Sequence, residues 1–224
     1  MNRRRFLYKI AGAAVGMLMP GEVLRASAAA PEAEGGLLLP AVHDTVPAAS
    51  STIYLTFDDG YIGIAEKVAA LNALGVAGTF FLAGQAIYNN PRSVANLVNS
   101  GHVLGNHTYS HANLTGLSYG RIQAELQRCE DAALNTVGVS TLPLLRPPWG
   151  YVNASVRSAA ATMGFQNFLW NWDTRDWAGS SASHIERNVG SGIVLMHTQG
   201  RNTVSALYDV VPALAAQGYT FAVL

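Results

Sequence analysis

Residues 51–60 read STIYLTFDDG, which combines a strand pattern with two adjacent carboxylates. The run up to Phe57 is β-branched, aromatic or apolar, as is typical of a buried strand. Asp58 and Asp59 follow it directly, in a chain that is only 12% charged. An Asp-Gly pair by itself predicts a turn. Two adjacent carboxylates can also divide their work, one binding a metal while the other accepts a proton, so the interpretation depends on which residues converge on them.

The pattern that begins there continues along the chain. Short β-branched or aromatic runs alternate with helical patterns, which predicts a parallel sheet with helical crossovers. Asn90 followed by Pro91 predicts one helix start, and Ser183 with Glu186 predicts another. Periodicity leaves both a closed barrel and an open doubly wound sheet as alternatives. The predicted strands are 52–57, 78–83, 102–106, 142–146, 166–171, 192–197 and 219–224, and the predicted helix-terminal glycines are Gly75, Gly101, Gly138, Gly164, Gly190 and Gly218.

The first fifty residues do not follow this pattern. Residues 1–28 contain a basic segment, a short apolar segment and a small-residue segment, which predict an export signal. Arg3 and Arg4 match a twin-arginine signal, and the apolar run is too short to span a bilayer comfortably. Residues 29–50 are rich in Ala, Pro and Gly and predict a linker. We therefore expect one domain, residues 51–224, in an exported protein, periplasmic or secreted, without stable membrane insertion after signal cleavage.

Composition narrows the class of function. Lysine plus arginine and aspartate plus glutamate both number 14, so the formal net charge is zero. No basic run beyond the N-terminus offers a binding stripe for nucleic acid. The single cysteine, Cys129, excludes a disulfide framework within the chain and fits a buried helical position.

Ionisable residues recur where the predicted strands end. In a parallel α/β fold the carboxyl ends of the strands share one face, where ligands bind. We therefore expect these side chains to converge. They are Asp58 and Asp59 after the first strand, His107 after the third, Arg146 at the end of the fourth, Asp173 and Asp176 after the fifth, and His197 at the end of the sixth.

The sequence NHTYSH, residues 106–111, separates His107 and His111 by four positions. On one turn of helix this spacing points both imidazoles the same way, so that they can hold one ion. Histidine pairs at this spacing are also common on exposed helices. Beside a carboxylate they predict a two-histidine, one-carboxylate metal site, a ligand set shared with non-haem iron oxygenases.

Three further motifs admit a structural and a chemical interpretation. PLLRPPWG, residues 143–150, is either a loop stiffened by prolines or a place where Arg146 pairs with a carboxylate. WNWDTRDW, residues 170–177, resembles an aspartate-rich helix cap with core tryptophans. GIVLMH, residues 192–197, is a buried strand whose final histidine is a candidate proton donor.

In this order, TFDDG, HTYSH, RPPWG, DTRDW and LMH resemble the five motifs of the polysaccharide deacetylase family, the NodB-like carbohydrate esterases of family 4, over residues 51–224. The resemblance implies a distorted (β/α)7 barrel with its active site at the C-terminal ends of the strands. It also implies a metal-dependent hydrolase that removes acetyl groups from an N-acetylated glycan, such as peptidoglycan or chitin-like oligomers. The implied cofactor is a divalent ion, usually Zn²⁺, with Co²⁺ as an alternative.

The same resemblance implies roles for individual residues. Three would bind the metal, four would serve proton transfer, and three would line the substrate pocket. The metal ligands would be Asp59, His107 and His111; Asp58 would be the base, held ionised by Arg146; His197 would be the acid, tuned by Asp176; Trp177 and Leu195 would surround the acetyl methyl group, and the Trp149 N–H would help bind the oxyanion.

Some alternatives stay open within this interpretation. Tyr61, Trp149 and Thr198 stand where the family often has proline, tyrosine and aspartate, and each touches a groove wall. An O-acetyl esterase acting on xylan, a small-amide hydrolase and a non-catalytic carbohydrate-binding protein are therefore retained beside the N-deacetylase. No role follows for Asp173.

Overall fold

The computed structural model describes residues 51–224, in which helices alternate with the strands of one parallel sheet. The predicted export signal and linker, residues 1–28 and 29–50, lie outside the described residues. The strands are β1 (Thr52–Asp59), β2 (Thr79–Leu82), β3 (Val103–Asn106), β4 (Leu144–Leu145), β5 (Gln166–Asn167), β6 (Trp172–Asp173), β7 (Gly192–His197) and β8 (Thr220–Ala222). The helices are α1 (Ile64–Leu74), α2 (Gly84–Asn89), α3 (Pro91–Asn99), α4 (Tyr119–Val137), α5 (Ala154–Thr162), α6 (Ala182–Glu186) and α7 (Thr203–Ala216), with short 3-10 turns at Leu114–Gly116, Pro148–Gly150 and Asp176–Ala178.

The sheet has the strand order β5-β4-β3-β2-β1-β7-β6, and β8 pairs with β1. All of these pairings are parallel, as the alternation of strands and helices predicts. β1 lies between β2 and β7, and its register aligns Asp58 with His197 and Asp59 with Leu82. The two residues predicted to transfer protons, Asp58 and His197, therefore lie side by side at the carboxyl ends of neighbouring strands.

The sheet curls into the distorted barrel that the family resemblance implies, but a crossing segment joins its two ends. No ladder pairs β5 with β6 in the described part of the chain. The Phe168 N–H donates to the Leu145 carbonyl of β4, and the Asn171 N–H donates to the Ile193 carbonyl of β7, both at 2.8 Å. The predicted single strand 166–171 is therefore wrong, because the chain crosses from one side of the barrel to the other and forms two short strands.

Side chains of β1 alternate between two environments. Leu55 and Phe57 are fully buried in the core between the sheet and its helices. Thr56 and Asp58 point to the opposite face, where both accept hydrogen bonds from the guanidinium group of Arg146. The strand thus supplies an apolar row to the core and a polar row to the site.

Helix starts agree in part with the sequence. Pro91 is the first residue of α3 and Asn90 is its N-cap residue, as predicted. The predicted start at Ser183 is wrong, because Ser181 caps α6 and its hydroxyl accepts a hydrogen bond from the His184 N–H at 3.3 Å.

Helix ends agree except at one glycine. α6 ends at Glu186, and Gly190 instead packs against the indole ring of Trp172, so the prediction for Gly190 is wrong. The other five predicted glycines have positive φ at or just after a helix end: Gly75, Gly101, Gly138, Gly164 and Gly218.

No helix within residues 51–224 is long and apolar enough to cross a membrane.

Cys129 is buried in α4, as predicted. Its thiol donates to the Leu82 carbonyl at 3.4 Å, and burial raises the pKa of this thiol to about 12. A thiol of such a pKa stays protonated near neutral pH, which fits a packing role.

We predict that Gly63→Ala destabilises the fold, since Gly63 fixes how the loop after β1 packs on the loop after β7. Gly63 has φ of 83°, and a Cβ atom there would lie 1.9 Å from the Thr198 carbonyl oxygen. The variant should lose about 2 kcal/mol or more of unfolding free energy in urea titrations. Gly116→Ala is the matched control, because no heavy atom lies within 4 Å of a Cβ at Gly116. Equal stability of the two variants would contradict this packing.

Candidate active site

A cavity of about 410 Å³ opens at the carboxyl ends of the strands. Eight of the ten residues predicted for the site line it, and the other two, Arg146 and Asp176, lie behind its wall and bind lining residues. The convergence expected from the strand ends is therefore present. The eight lining residues are Asp58, Asp59, His107, His111, Trp149, Trp177, Leu195 and His197.

Arg146 is the largest fully buried side chain described, and its donors are distributed over four acceptors. Nη1 donates to Asp58 Oδ1 at 2.8 Å and to Thr56 Oγ1 at 2.7 Å. Nε and Nη2 donate to the carbonyls of Phe168 and Leu169, each at 2.9 Å. Burial acts to lower the pKa of Arg146 and the Asp58 charge opposes this, so the pair is electrostatically interdependent.

Asp59, His107 and His111 form a candidate metal site. Asp59 Oδ1 lies 3.1 Å from His111 Nε2 and 3.5 Å from His107 Nε2, and one ligand atom from each residue falls within 4.8 Å of the others. His107 Nδ1 lies 2.6 Å from the Arg146 carbonyl, which can only accept, so Nδ1 carries the proton and Nε2 keeps its lone pair. This donor set fits a divalent ion such as Zn²⁺.

The carboxylate of Asp59 is held in its ionised form. Burial alone would raise its pKa, but the neighbouring side chains of His107 and His111 and a hydrogen bond from Gln199 move the pKa well below its usual range. An ionised carboxylate beside two imidazoles is the form that binds a metal.

The two histidines do not lie on a helix, so that part of the prediction is wrong. They occupy the loop after β3, where Thr108 and His111 have positive φ. The Asn106 side chain accepts from the Thr108 N–H at 2.9 Å, and the Glu125 carboxylate accepts from the N–H groups of Tyr109 and Ser110. These contacts shape the loop so that the imidazoles meet, with ring centroids 5.0 Å apart.

His197 and Asp176 form a second hydrogen-bonded pair. His197 Nδ1 lies 2.9 Å from Asp176 Oδ1, and Asp176 Oδ2 accepts from the His197 N–H at 2.9 Å and from Thr203 Oγ1 at 2.6 Å. Burial acts to lower the pKa of His197, but the Asp176 hydrogen bond and the charges of Asp58, Asp176 and Asp59 raise it overall. The imidazole is thus oriented and biased toward its protonated form.

Aromatic side chains form the exposed rim of the cavity. Trp149 and Trp177 are 53% and 58% exposed, while Leu195 is 4% exposed and forms part of the wall. The ring of Trp149 meets the His111 ring edge-on, with centroids 4.5 Å apart. Tryptophans that remain exposed beside a polar cavity can stack on the faces of sugar rings.

Several lining residues were not predicted from the sequence. Tyr151, Trp170 and Gln199 also face the cavity. The sequence motifs assign no role to any of them.

Asp173 lines the cavity too, and its Oδ1 accepts from the Arg175 N–H at 2.8 Å. The capping interpretation of this segment is wrong, because no side chain caps the 3-10 turn Asp176–Ala178 and Trp177 is exposed rather than part of the core.

A family model of polysaccharide deacetylases matches residues 45–168, which is more than half of the chain. This chain belongs to the polysaccharide deacetylase family. It is similar to a peptidoglycan-N-acetylglucosamine deacetylase of Bacillus cereus, with 34% identity over 188 residues that cover 79% of the chain and 87% of the relative. It is also 33% identical to a peptidoglycan-N-acetylmuramic acid deacetylase of Bacillus subtilis, over 76% of the chain and 68% of the relative.

The family assignment extends to the fold. A family 4 carbohydrate esterase from Streptomyces lividans, solved in complex with acetate, superimposes with a TM-score of 0.71 at 32% identity, covering 77% of this chain and 91% of that one. The resemblance seen in the five motifs and the predicted distorted barrel are therefore confirmed. The chain is a hydrolase of the deacetylase class.

Proposed function

We propose that this chain hydrolyses the N-acetyl groups of an N-acetylglucosamine-containing glycan, with peptidoglycan as the first candidate. The observation that carries the proposal is a carboxylate, Asp58, bound to a fully buried arginine and placed between the metal-ligand cluster and His197. The names of the two Bacillus relatives support an N-acetylated sugar of peptidoglycan as the substrate class.

Asp59, His107 and His111 are proposed to hold a divalent ion, with Zn²⁺ as the first candidate and Co²⁺ as an alternative. Such an ion, when bound, supplies Lewis acidity that lowers the pKa of water and polarises the acetyl carbonyl.

Asp58 is proposed as the general base. Its Oδ1 is occupied by Arg146, while Oδ2 lies 3.8 Å from His107 Nε2 and so faces the metal-ligand cluster. Oδ2 would accept the proton of the attacking water, and the guanidinium would keep the carboxylate ionised before each turnover.

His197 is proposed as the general acid. Because Nδ1 binds Asp176, Nε2 is the ring nitrogen left to donate to the departing amine. The C–N bond of the amide breaks as this proton arrives, and the products are acetate and the free amino sugar. The proposed base and acid are paired in register at the carboxyl ends of adjacent strands, so they can act on the same acetamide group.

The remaining predicted residues are proposed to hold the substrate. Leu195 and Trp177 would surround the acetyl methyl group, and the Trp149 N–H would help to bind the oxyanion. Trp149 has φ of 56°, a rarely adopted backbone conformation of the kind that clusters at functional sites.

The substrate class is tested by acetate release. Wild-type protein loaded with metal should release acetate from N-acetylglucosamine oligomers or peptidoglycan in preference to O-acetylated xylan, and a chelator should stop the release. Preference for xylan would favour an O-acetyl esterase, and preference for small acetamides would favour a small-amide hydrolase. Glycan binding without acetate release would favour a carbohydrate-binding protein, and oxygen consumption would favour an oxygenase.

The two acids of TFDDG should respond differently to neutralisation. Asp58→Asn should bind metal about as well as wild type and lose on the order of 10² to 10⁴ in rate, which is the usual contribution of a positioned base. Asp59→Asn should lose most of its metal affinity and regain part of its activity in excess metal. Metal stoichiometry and acetate release are measured for both variants. Equal metal loss in both, or full activity of Asp58→Asn, would refute the assignment.

The raised pKa of His197 predicts how activity depends on pH. The acid must be protonated, so a raised pKa keeps it active to higher pH, and the rate falls as pH rises through that pKa. Asp176→Asn removes a charge that raises the pKa and should shift this alkaline limb downward by about one pH unit. Asp209→Asn, at an exposed position of α7, is the control. An unshifted limb in Asp176→Asn would argue against His197 as the acid.

We further propose that the protein is exported by the twin-arginine route, on the basis of the sequence of residues 1–28. Replacing Arg3, Arg4 and Arg5 with lysine keeps the charge but removes every arginine pair. Cell fractionation should then find the variant inside the cell, whereas wild type is found outside the cytoplasm. Unchanged export of the lysine variant would refute the twin-arginine assignment.

A further inference from the structure

Gln199 is a cavity residue to which neither the motifs nor the proposed chemistry assigns a role. It lies two positions after His197, in the loop that follows β7. Its Nε2 donates to Asp59 Oδ2 at 2.5 Å, and its Oε1 accepts from Thr198 Oγ1 at 3.3 Å. Thr198 Oγ1 in turn accepts from the Gly60 N–H at 3.0 Å. A chain of hydrogen bonds therefore links this amide to the backbone of TFDDG.

The two oxygens of Asp59 have different partners. Oδ1 is the oxygen that faces the imidazoles of His111 and His107, at 3.1 and 3.5 Å. Oδ2 accepts a hydrogen bond from the Gln199 amide. Rotation of the carboxylate would break the Gln199 contact, so the amide fixes which oxygen is presented to the two histidines.

The backbone at Asp59 departs from strand geometry. Asp59 ends β1 with φ of 79°, a conformation that non-glycine residues seldom adopt. Gln199 reaches it from the neighbouring loop. An amide is neutral, so it can satisfy Oδ2 without placing a positive charge beside a cation site.

We propose that Gln199 is a positioning residue for the metal, acting through Asp59. The proposal rests on the proposed metal site. Gln199 would not bind the ion but would donate a hydrogen bond to Asp59 and so orient this ligand. Loss of such a partner typically weakens metal affinity by about 10- to 100-fold. Gln199 does not itself touch the ion or the substrate in this role.

The test compares the Zn²⁺ affinity of variants by competition with a chromogenic chelator. Gln199→Met keeps the length of the side chain but removes the donor, and Gln199→Ala removes the side chain. Both should bind Zn²⁺ about 10- to 100-fold more weakly than wild type. Their metal-free forms should unfold at the same temperature as metal-free wild type.

Gln127→Ala is the matched control. Gln127 Nε2 also donates to an aspartate, Asp131 Oδ1, at 2.8 Å, but on an exposed face of α4. The control should bind Zn²⁺ like wild type. This separates loss of a Gln–Asp hydrogen bond in general from loss of the one at the cavity.

Each result decides between two roles for Gln199. Unchanged Zn²⁺ affinity in Gln199→Met would overturn the inference while leaving the metal site intact. A loss of affinity matched by a loss of stability in the metal-free protein would also overturn it, because Gln199 would then merely tie two loops together. If wild type bound no ion, the proposed metal site would fail first, and this inference with it.

Discussion

The pairing of Arg146 with Asp58 is the interaction on which the rest of the site depends. Both side chains are buried, and removing either partner would leave an uncompensated charge at a typical cost of about 3 to 5 kcal/mol. The chain meets this constraint by surrounding the guanidinium with acceptors: a carboxylate, a hydroxyl and two carbonyls. The ring of Phe81 lies 4.2 Å from its central carbon. The buried charge of Arg146 is therefore tolerated, because nearly every N–H group of its guanidinium donates a hydrogen bond.

The hydrogen bonds of the Arg146 guanidinium also involve the segment that interrupts the sheet of the barrel. The carbonyls of Phe168 and Leu169 point to Arg146, and they belong to the segment that crosses between β5 and β6. The segment that interrupts the sheet thus also supplies two of the four acceptors that surround the buried guanidinium.

Much of the fold and site follows from local sequence. Strand patterns, glycines and the position of ionisable residues after strands predicted the sheet and the face on which Asp58 and His197 meet. Two kinds of feature did not follow. The 166–171 segment has a strand pattern but is divided by tertiary hydrogen bonds, and the spacing of His107 and His111 suits a helix although a loop holds them.

The contributions of Glu125 and Gln199 could not be predicted for a related reason. Each acts through one hydrogen bond network to a residue distant in sequence, with no period or spacing to indicate it. The motifs identify Arg146 and Asp176, which bind Asp58 and His197 from other elements. They do not identify Glu125 or Gln199, because neither residue belongs to a motif.

Arg146 also binds through its backbone, since its carbonyl oxygen fixes the His107 ring while its guanidinium holds Asp58. One residue therefore sets the spacing between the proposed base and a proposed metal ligand, within the length of a single side chain. The contacts that fix this spacing involve none of the exposed tryptophans at the cavity rim. A substitution in the rim can therefore change the shape of the cavity mouth while the distance between Asp58 and His107 is kept by Arg146.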